Sequence, residues 1–299
     1  FAVFAAIAAF GIGNMVQSNS VADAVKGTFG ISTTVTGIIL MVLTGLAIIV
    51  DVKEIGKVTE VLVPVMIVGY VLAGLVILVL HVDRIPGALA LVFKGAFTPL
   101  SAAGGVIGFT VMQAINKGVS RGIFSNESGM GSAPIAAAAA KTSNPVSQAL
   151  VSMTQTFIDT IVVCSITGLV IIMSGYWQDP ALKGLALTNK AFTWGIPGGS
   201  LVVSFGIILF AFSTILGWYY YGERSVHFLF GQKSILPYKT VWVGAVLLGA
   251  TLKLDLVWTF SDVMNGLMAF PNLVGLLGLS AVIAWETREH FSKPRPGNV

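Results

Sequence analysis

Long apolar runs follow one another along this chain, with only short polar or glycine-containing joints between them. A helix needs about 20 apolar residues to cross a bilayer. On that measure the pattern predicts spans near residues 1–19, 31–51, 64–82, 86–120, 145–174, 199–220, 236–252 and 256–285. The fourth is interrupted by Pro99, Gly104, Gly105 and Gly108. The last contains Pro271, so it is either one kinked helix or two shorter ones. Between spans, residues 175–198 read as a polar outer loop and residues 222–235 as a segment lying along the inner interface. The stretch 1–285 reads as a transmembrane domain, and 286–299 as a disordered cytoplasmic tail.

Composition narrows the class. Of the 299 residues, 55% are hydrophobic and 10% charged, with a mean hydropathy of +0.88, whereas soluble domains carry charge on about a quarter of their residues. The expected fold class is an all-α membrane protein. The net charge of +4 bears on topology: alternating the spans with residue 1 inside places eleven Lys/Arg on one side, including Lys53, Lys141 and Arg224, and six on the other, including Lys26 and Lys190. The richer side is assigned to the cytoplasm. A nucleic-acid partner is not expected, since no basic cluster with interleaved aromatics occurs. Cys164 stands alone, which leaves neither a disulfide nor a cysteine metal site. His81, His227 and His290 are too far apart for a metal or a catalytic triad, and NESGMGSAP lacks the phosphate-loop pattern, so an enzyme is not expected. The chain opens with Phe1 inside an apolar stretch, and the expectation is of a piece whose N-terminal spans are missing.

The interrupted fourth span is the first candidate for a binding site. Hydrocarbon tolerates irregular backbone only where protein buries it or where it lines a wet cavity. An unwound turn frees amides at one half-helix and carbonyls at the other, so a carboxylate and a small cation can be held side by side. Thr98, Ser101, Gly104 and Gly105 are the candidate contacts; the alternative is that the break merely kinks a helix or lets a neighbour pack closely. A break at 121–132 would instead set Lys117 and Arg121 deep in the membrane, at a cost of a few kcal/mol each. The segment RGIFSNESGMGS is therefore placed at the cytoplasmic mouth, with Arg121, Asn126 and Glu127 as an inner gate.

Three further groups can carry chemistry. In FGIGNMVQSNS, residues 10–20, Gly13 opens a helix face while Asn14 and Gln17 project amides, which either line a site or join helices. Ser213 and Thr214 are adjacent hydroxyls in an apolar helix and Trp218 follows one turn later. The hydroxyls suit a hard monovalent cation, or they return hydrogen bonds to carbonyls four residues earlier. Trp218 and the three tyrosines after it either border a pocket or form an interfacial aromatic belt. Asp159 and Asp262 lie within spans; such a carboxylate binds a cation, relays protons or stays neutral.

Taken together, FGIGNMVQSNS, AFTPLSAAGG, RGIFSNESGMGSAPIAAAAAKT, QTFIDTIVVCSITGLVI, AFSTILGWYYYGE and MAFPNL resemble the alanine or glycine:cation symporter family over nearly the whole chain. The resemblance implies prokaryotic sodium-coupled amino-acid carriers of the amino acid-polyamine-organocation superfamily. Their fold is an inverted-repeat, five plus five helix bundle with broken helices. It implies a multi-pass protein of a bacterial or archaeal cytoplasmic membrane, a monomer, with sodium as coupling ion and no other cofactor. By similarity, Ser213 and Thr214 contribute to a sodium site. Gly13, Asn14, Gln17, Thr98, Ser101, Gly104, Gly105, Thr214 and Trp218 border a small amino-acid substrate.

Overall fold

The computed structural model describes residues 1–49, 52–97, 107–142 and 144–292. Every regular element among them is helical. In chain order these are α1 (Ala2–Phe29), α2 (Thr33–Ile49), α3 (Val52–Leu80), α4 (Ile85–Phe97), α5 (Ile107–Asn126), α6 (Ala133–Ala137), α7 (Pro145–Ser174), α8 (Gly184–Gly195), α9 (Gly199–Phe230), α10 (Ile235–Thr251), α11 (Leu254–Gly278) and α12 (Ser280–Ser292). Four of them contain stretches long and apolar enough to cross a membrane, namely α1, Val63–Leu80 of α3, α7 and α9. α11 and α12 together qualify as a fifth, bent by 60° at their joint. α2 and α10 have 17 residues each, about 26 Å at 1.5 Å per residue, slightly short of the hydrocarbon thickness.

The burial pattern is that of a chain immersed in lipid. On α2, Thr36 and Thr44 are buried whereas Leu46 and Ile49 are 59% and 73% exposed. Water would penalise such an outward apolar face by about 25 cal/mol per Å²; hydrocarbon does not. The protein is an integral, multi-pass membrane protein.

α1 is the central post. Tyr238 donates through its hydroxyl to the Ala6 carbonyl at 3.1 Å, Asn14 Nδ2 donates to the Trp242 carbonyl at 2.9 Å, and Asn19 Nδ2 donates to the carbonyls of Gly249 and Leu252. α1 and α10 therefore run parallel. Thr28 and Ser204 hydroxyls meet at 2.6 Å, whereas Gly13, earlier in α1, lies against Trp218, later in α9, so α9 runs antiparallel to α1. The main core gathers around this post, with Ile12, Ile215, Trp218, Tyr219, Trp242, Val246 and Met268. A second, smaller core joins α3, α7, α8 and α9 through Ile77, Val170, Phe192 and Val203.

Several expected boundaries move. Within the outer joint 175–198 lies the helix α8, which buries Ala191 and Phe192; twelve residues with polar Thr188, Asn189 and Lys190 fall below the threshold for a span but make an amphipathic helix. α9 continues to Phe230 through the segment read as interfacial. The tail expected to be disordered from residue 286 is helical to Ser292, as its Glu and Arg content favours. Pro271 sits inside α11, and the bend falls at the following joint instead, giving two helices.

Gly249 is the tightest point between α1 and α10: a Cβ there would lie 2.4 Å from the Met15 Cα. A Cβ on Gly244, in the same helix, meets nothing within 4 Å. Gly249→Val should therefore lower the thermal midpoint of the detergent-solubilised protein clearly, by the ~1–3 kcal/mol typical of overpacking. Gly244→Val should leave it nearly unchanged.

Candidate functional site

The helix α5 ends at Asn126 and the backbone then leaves the helical ladder for six residues, Glu127 to Ser132, before α6. The Asn126 side-chain oxygen accepts from the Ser128 amide at 2.9 Å and starts the turn. Glu127, Gly129 and Gly131 all have positive φ, at 58°, 80° and 88°. A non-glycine residue there costs about 1–2 kcal/mol. Two hydrogen bonds to the carboxylate hold Glu127 in place: Ser132 Oγ donates to Oε2 at 2.6 Å, and Trp218 Nε1 to Oε1 at 3.0 Å. On its other side the turn is held by Asn272 Nδ2, which donates to the Gly129 carbonyl at 2.9 Å. Gly131 is doubly required, since a Cβ would come within 2.8 Å of the Asn272 side chain and 2.6 Å of the Phe1 ring.

This turn is packed against α1 and α9. The Trp218 ring lies directly on Gly13, where a Cβ would fall 2.0 Å from Trp218 Cβ. Trp218 and Tyr219 are buried and so are not an interfacial belt. Gly13 belongs to a π-helical turn, Ala9–Met15, and Gln17 Nε2 donates to the Ile12 carbonyl inside it at 2.9 Å. Asn14 is fully buried, with its Nδ2 on the Trp242 carbonyl and its Oδ1 without a partner. The hydroxyls of Ser213 and Thr214 both donate to the Phe210 carbonyl at 2.8 Å; the hydroxyl oxygens keep their acceptor capacity.

The structure thus brings Gly13, Trp218 and Glu127 into contact and puts Thr214 one helical turn from Trp218. Thr98, Ser101, Gly104 and Gly105 lie outside the described residues. Arg121, the charge whose burial was reckoned costly, has partners. Its guanidinium pairs with the Asp262 carboxylate and stacks over the Trp258 ring at 4.2 Å and the Phe124 ring at 5.5 Å, which replaces hydration with a counter-charge and aromatic faces.

Trp258 lines a cavity of about 330 Å³ with Asp23, Tyr70, Thr167, Thr188 and Phe210. Asn126 Nδ2 donates to Thr160 of α7 at 3.0 Å, so it fastens α5 to a neighbouring helix.

A family model described as the sodium:alanine symporter family matches residues 1–298. The chain belongs to the sodium:alanine symporter family. It is 49% identical over 296 residues to an uncharacterized transporter of Haemophilus influenzae, covering 98% of this chain and 65% of that protein. It is 51% identical over 291 residues to the sodium/alanine symporter AgcS of Methanococcus maripaludis, covering 96% and 63% respectively. A probable sodium/glutamine symporter of Bacillus subtilis, GlnT, is 37% identical over 99% of this chain and 62% of its own length. The chain spans a little under two thirds of the length of these curated relatives.

Within this member of the sodium:alanine symporter family, sequence reasoning missed Ser132, Asn272 and Trp258. The usable signal for the first was GMGS itself, two glycines and a serine after an Asn-Glu pair, which is turn chemistry inside a family motif. Removing the Glu127 carboxylate should leave the Trp218 and Ser132 donors without their acceptor, at about 1–3 kcal/mol for a buried group. Glu127→Ala should therefore lower the thermal midpoint well below that of Glu127→Gln, whose amide oxygen still accepts from Trp218.

Proposed function

We propose that the protein imports a small neutral amino acid, alanine or glycine, together with sodium, by alternating access across a bacterial or archaeal cytoplasmic membrane. The observation that carries this reading is the non-helical turn Glu127–Ser132, buried against Trp218 and Gly13 in a chain of the sodium:alanine symporter family. The amides of Glu127, Ser128 and Met130 donate to Ile123, Asn126 and Glu127; those of Gly129, Gly131 and Ser132 are the donors we assign to the substrate carboxylate. This takes over the role expected of Gly104 and Gly105. Trp218 and Thr214 border the substrate, and Ser213 and Thr214 give neutral oxygens to sodium. Arg121, Asn126 and Glu127 act as the inner gate, with Arg121 held by Asp262 and Trp258. In the same reading the helices form part of a five plus five inverted-repeat bundle of the amino acid-polyamine-organocation superfamily, acting as a monomer.

Alanine is favoured by the name of the Methanococcus relative, a sodium/alanine symporter, and by the ring of Trp218 lying on Gly13, which leaves little room for a long side chain. The full-length protein in proteoliposomes should take up alanine saturably when a sodium gradient is imposed, and the alanine recovered inside should be unmodified. Ser213→Ala combined with Thr214→Ala should abolish the dependence on sodium. Sodium dependence that survives the double substitution removes that ion assignment, and an ohmic current without coupled uptake would replace the carrier by a channel.

A further inference from the structure

α7 opens into a π-helical turn, Phe157–Cys164, in mid-course, and Asp159 sits there as the fifteenth of the 30 residues of Pro145–Ser174. An ionised carboxylate at the centre of a membrane helix is costly unless a counter-charge or water meets it. The partners of Asp159 are hydroxyls. Ser125 Oγ, from the last turn of α5, donates to Oδ1 at 2.9 Å and to Oδ2 at 2.8 Å. Thr160 Oγ1 donates to Oδ2 at 3.1 Å, and it accepts from Asn126 Nδ2 at 3.0 Å, which fixes its own hydrogen on Asp159.

No protein cation answers this carboxylate among the described residues. Arg121, only four residues from Ser125, is committed to Asp262. Glu127, two residues beyond Ser125, has neutral partners, Ser132 and Trp218. Among the described residues, the region around the end of α5 therefore carries two acid side chains and no basic partner for either. What is present is an acid side chain flanked by two hydroxyl oxygens on a widened helical turn, the hard-oxygen chemistry that suits a small cation. Among the described residues no group of three His, Cys, Asp or Glu side chains converges, so the charge on hand matches a monovalent ion better than a divalent one.

We propose that Asp159, with the hydroxyl oxygens of Ser125 and Thr160, binds a sodium ion, separate from the Ser213–Thr214 pair on α9. The ion cancels the charge that the bundle leaves unpaired, and it ties α7 to the end of α5 immediately before the Glu127–Ser132 turn. Loading this site thereby sets the position of the turn. The inference rests on the sodium-coupled reading above only for the identity of the ion.

Direct binding tests it without transport. Purified full-length protein is titrated with sodium chloride at constant ionic strength in choline chloride, with no amino acid present, and its melting temperature is followed, since an ion that binds the folded state alone raises stability with concentration. Asp159→Asn should need at least about tenfold more sodium for half of the wild-type stabilisation, as should the double variant Ser125→Ala with Thr160→Ala. If Asp159→Asn does not fold in choline chloride, the double variant carries the test. A sodium response in these variants equal to that of the wild type, or a wild type that sodium does not stabilise, overturns the site. A tenfold loss of sodium affinity in a protein whose alanine uptake proves independent of sodium would keep the ion site and defeat the transport reading instead.

Discussion

The contact on which the rest of the arrangement depends is the Trp218 indole lying on the bare backbone of Gly13. No other residue type fits at position 13, because even a methyl group would overlap the Trp218 side chain. The contact sets the spacing of α1 and α9, the two helices that make most of the main core, and aims the indole N–H at Glu127. That hydrogen bond draws an otherwise strained, left-handed residue into the bundle and the glycine turn with it. Ring, glycine and carboxylate form a chain of necessity: take away the space at 13 and the donor no longer reaches the turn.

A membrane interior makes every polar group account for itself, and the described helices answer in a consistent manner. Side-chain amides of α1 donate to carbonyls of α10; hydroxyls of α9 fold back on Phe210; Arg121 meets Asp262 beside two aromatic rings. These are the bonds that let polar residues sit in spans without lining a pore. They also separate ordinary joinery from the places where satisfaction is incomplete, such as the buried Asn14 Oδ1.

Much of the fold was legible from hydropathy because lipid imposes a length and a composition on any helix that crosses it. α7 was bounded correctly at both ends, since Asn144 caps Pro145 and Gly175 ends the helix in a left-handed conformation. Elements that do not cross were harder: α8 is amphipathic and short, and the last turns of α9 are too polar to register as a span although they are plainly helical. The candidate site was half legible. Gly13, Glu127, Thr214 and Trp218 were singled out from residue type and spacing, but the burial cost of Arg121 was reckoned without a partner. Asp262 lies 141 residues away, and no local pattern announces that pairing.

α5 and the turn after it touch α11 at two places: Arg121 on Asp262, and the Gly129 carbonyl on Asn272. The two attachment points on α11 are ten residues apart, about 15 Å along its axis. A segment pinned to a rod at both ends cannot swing about either one. The strip from Arg121 to Gly129 and its facing stretch of α11 therefore form a single splint, and any rearrangement that uncovers one flank of the turn must carry α11 along or first break one of the two pins.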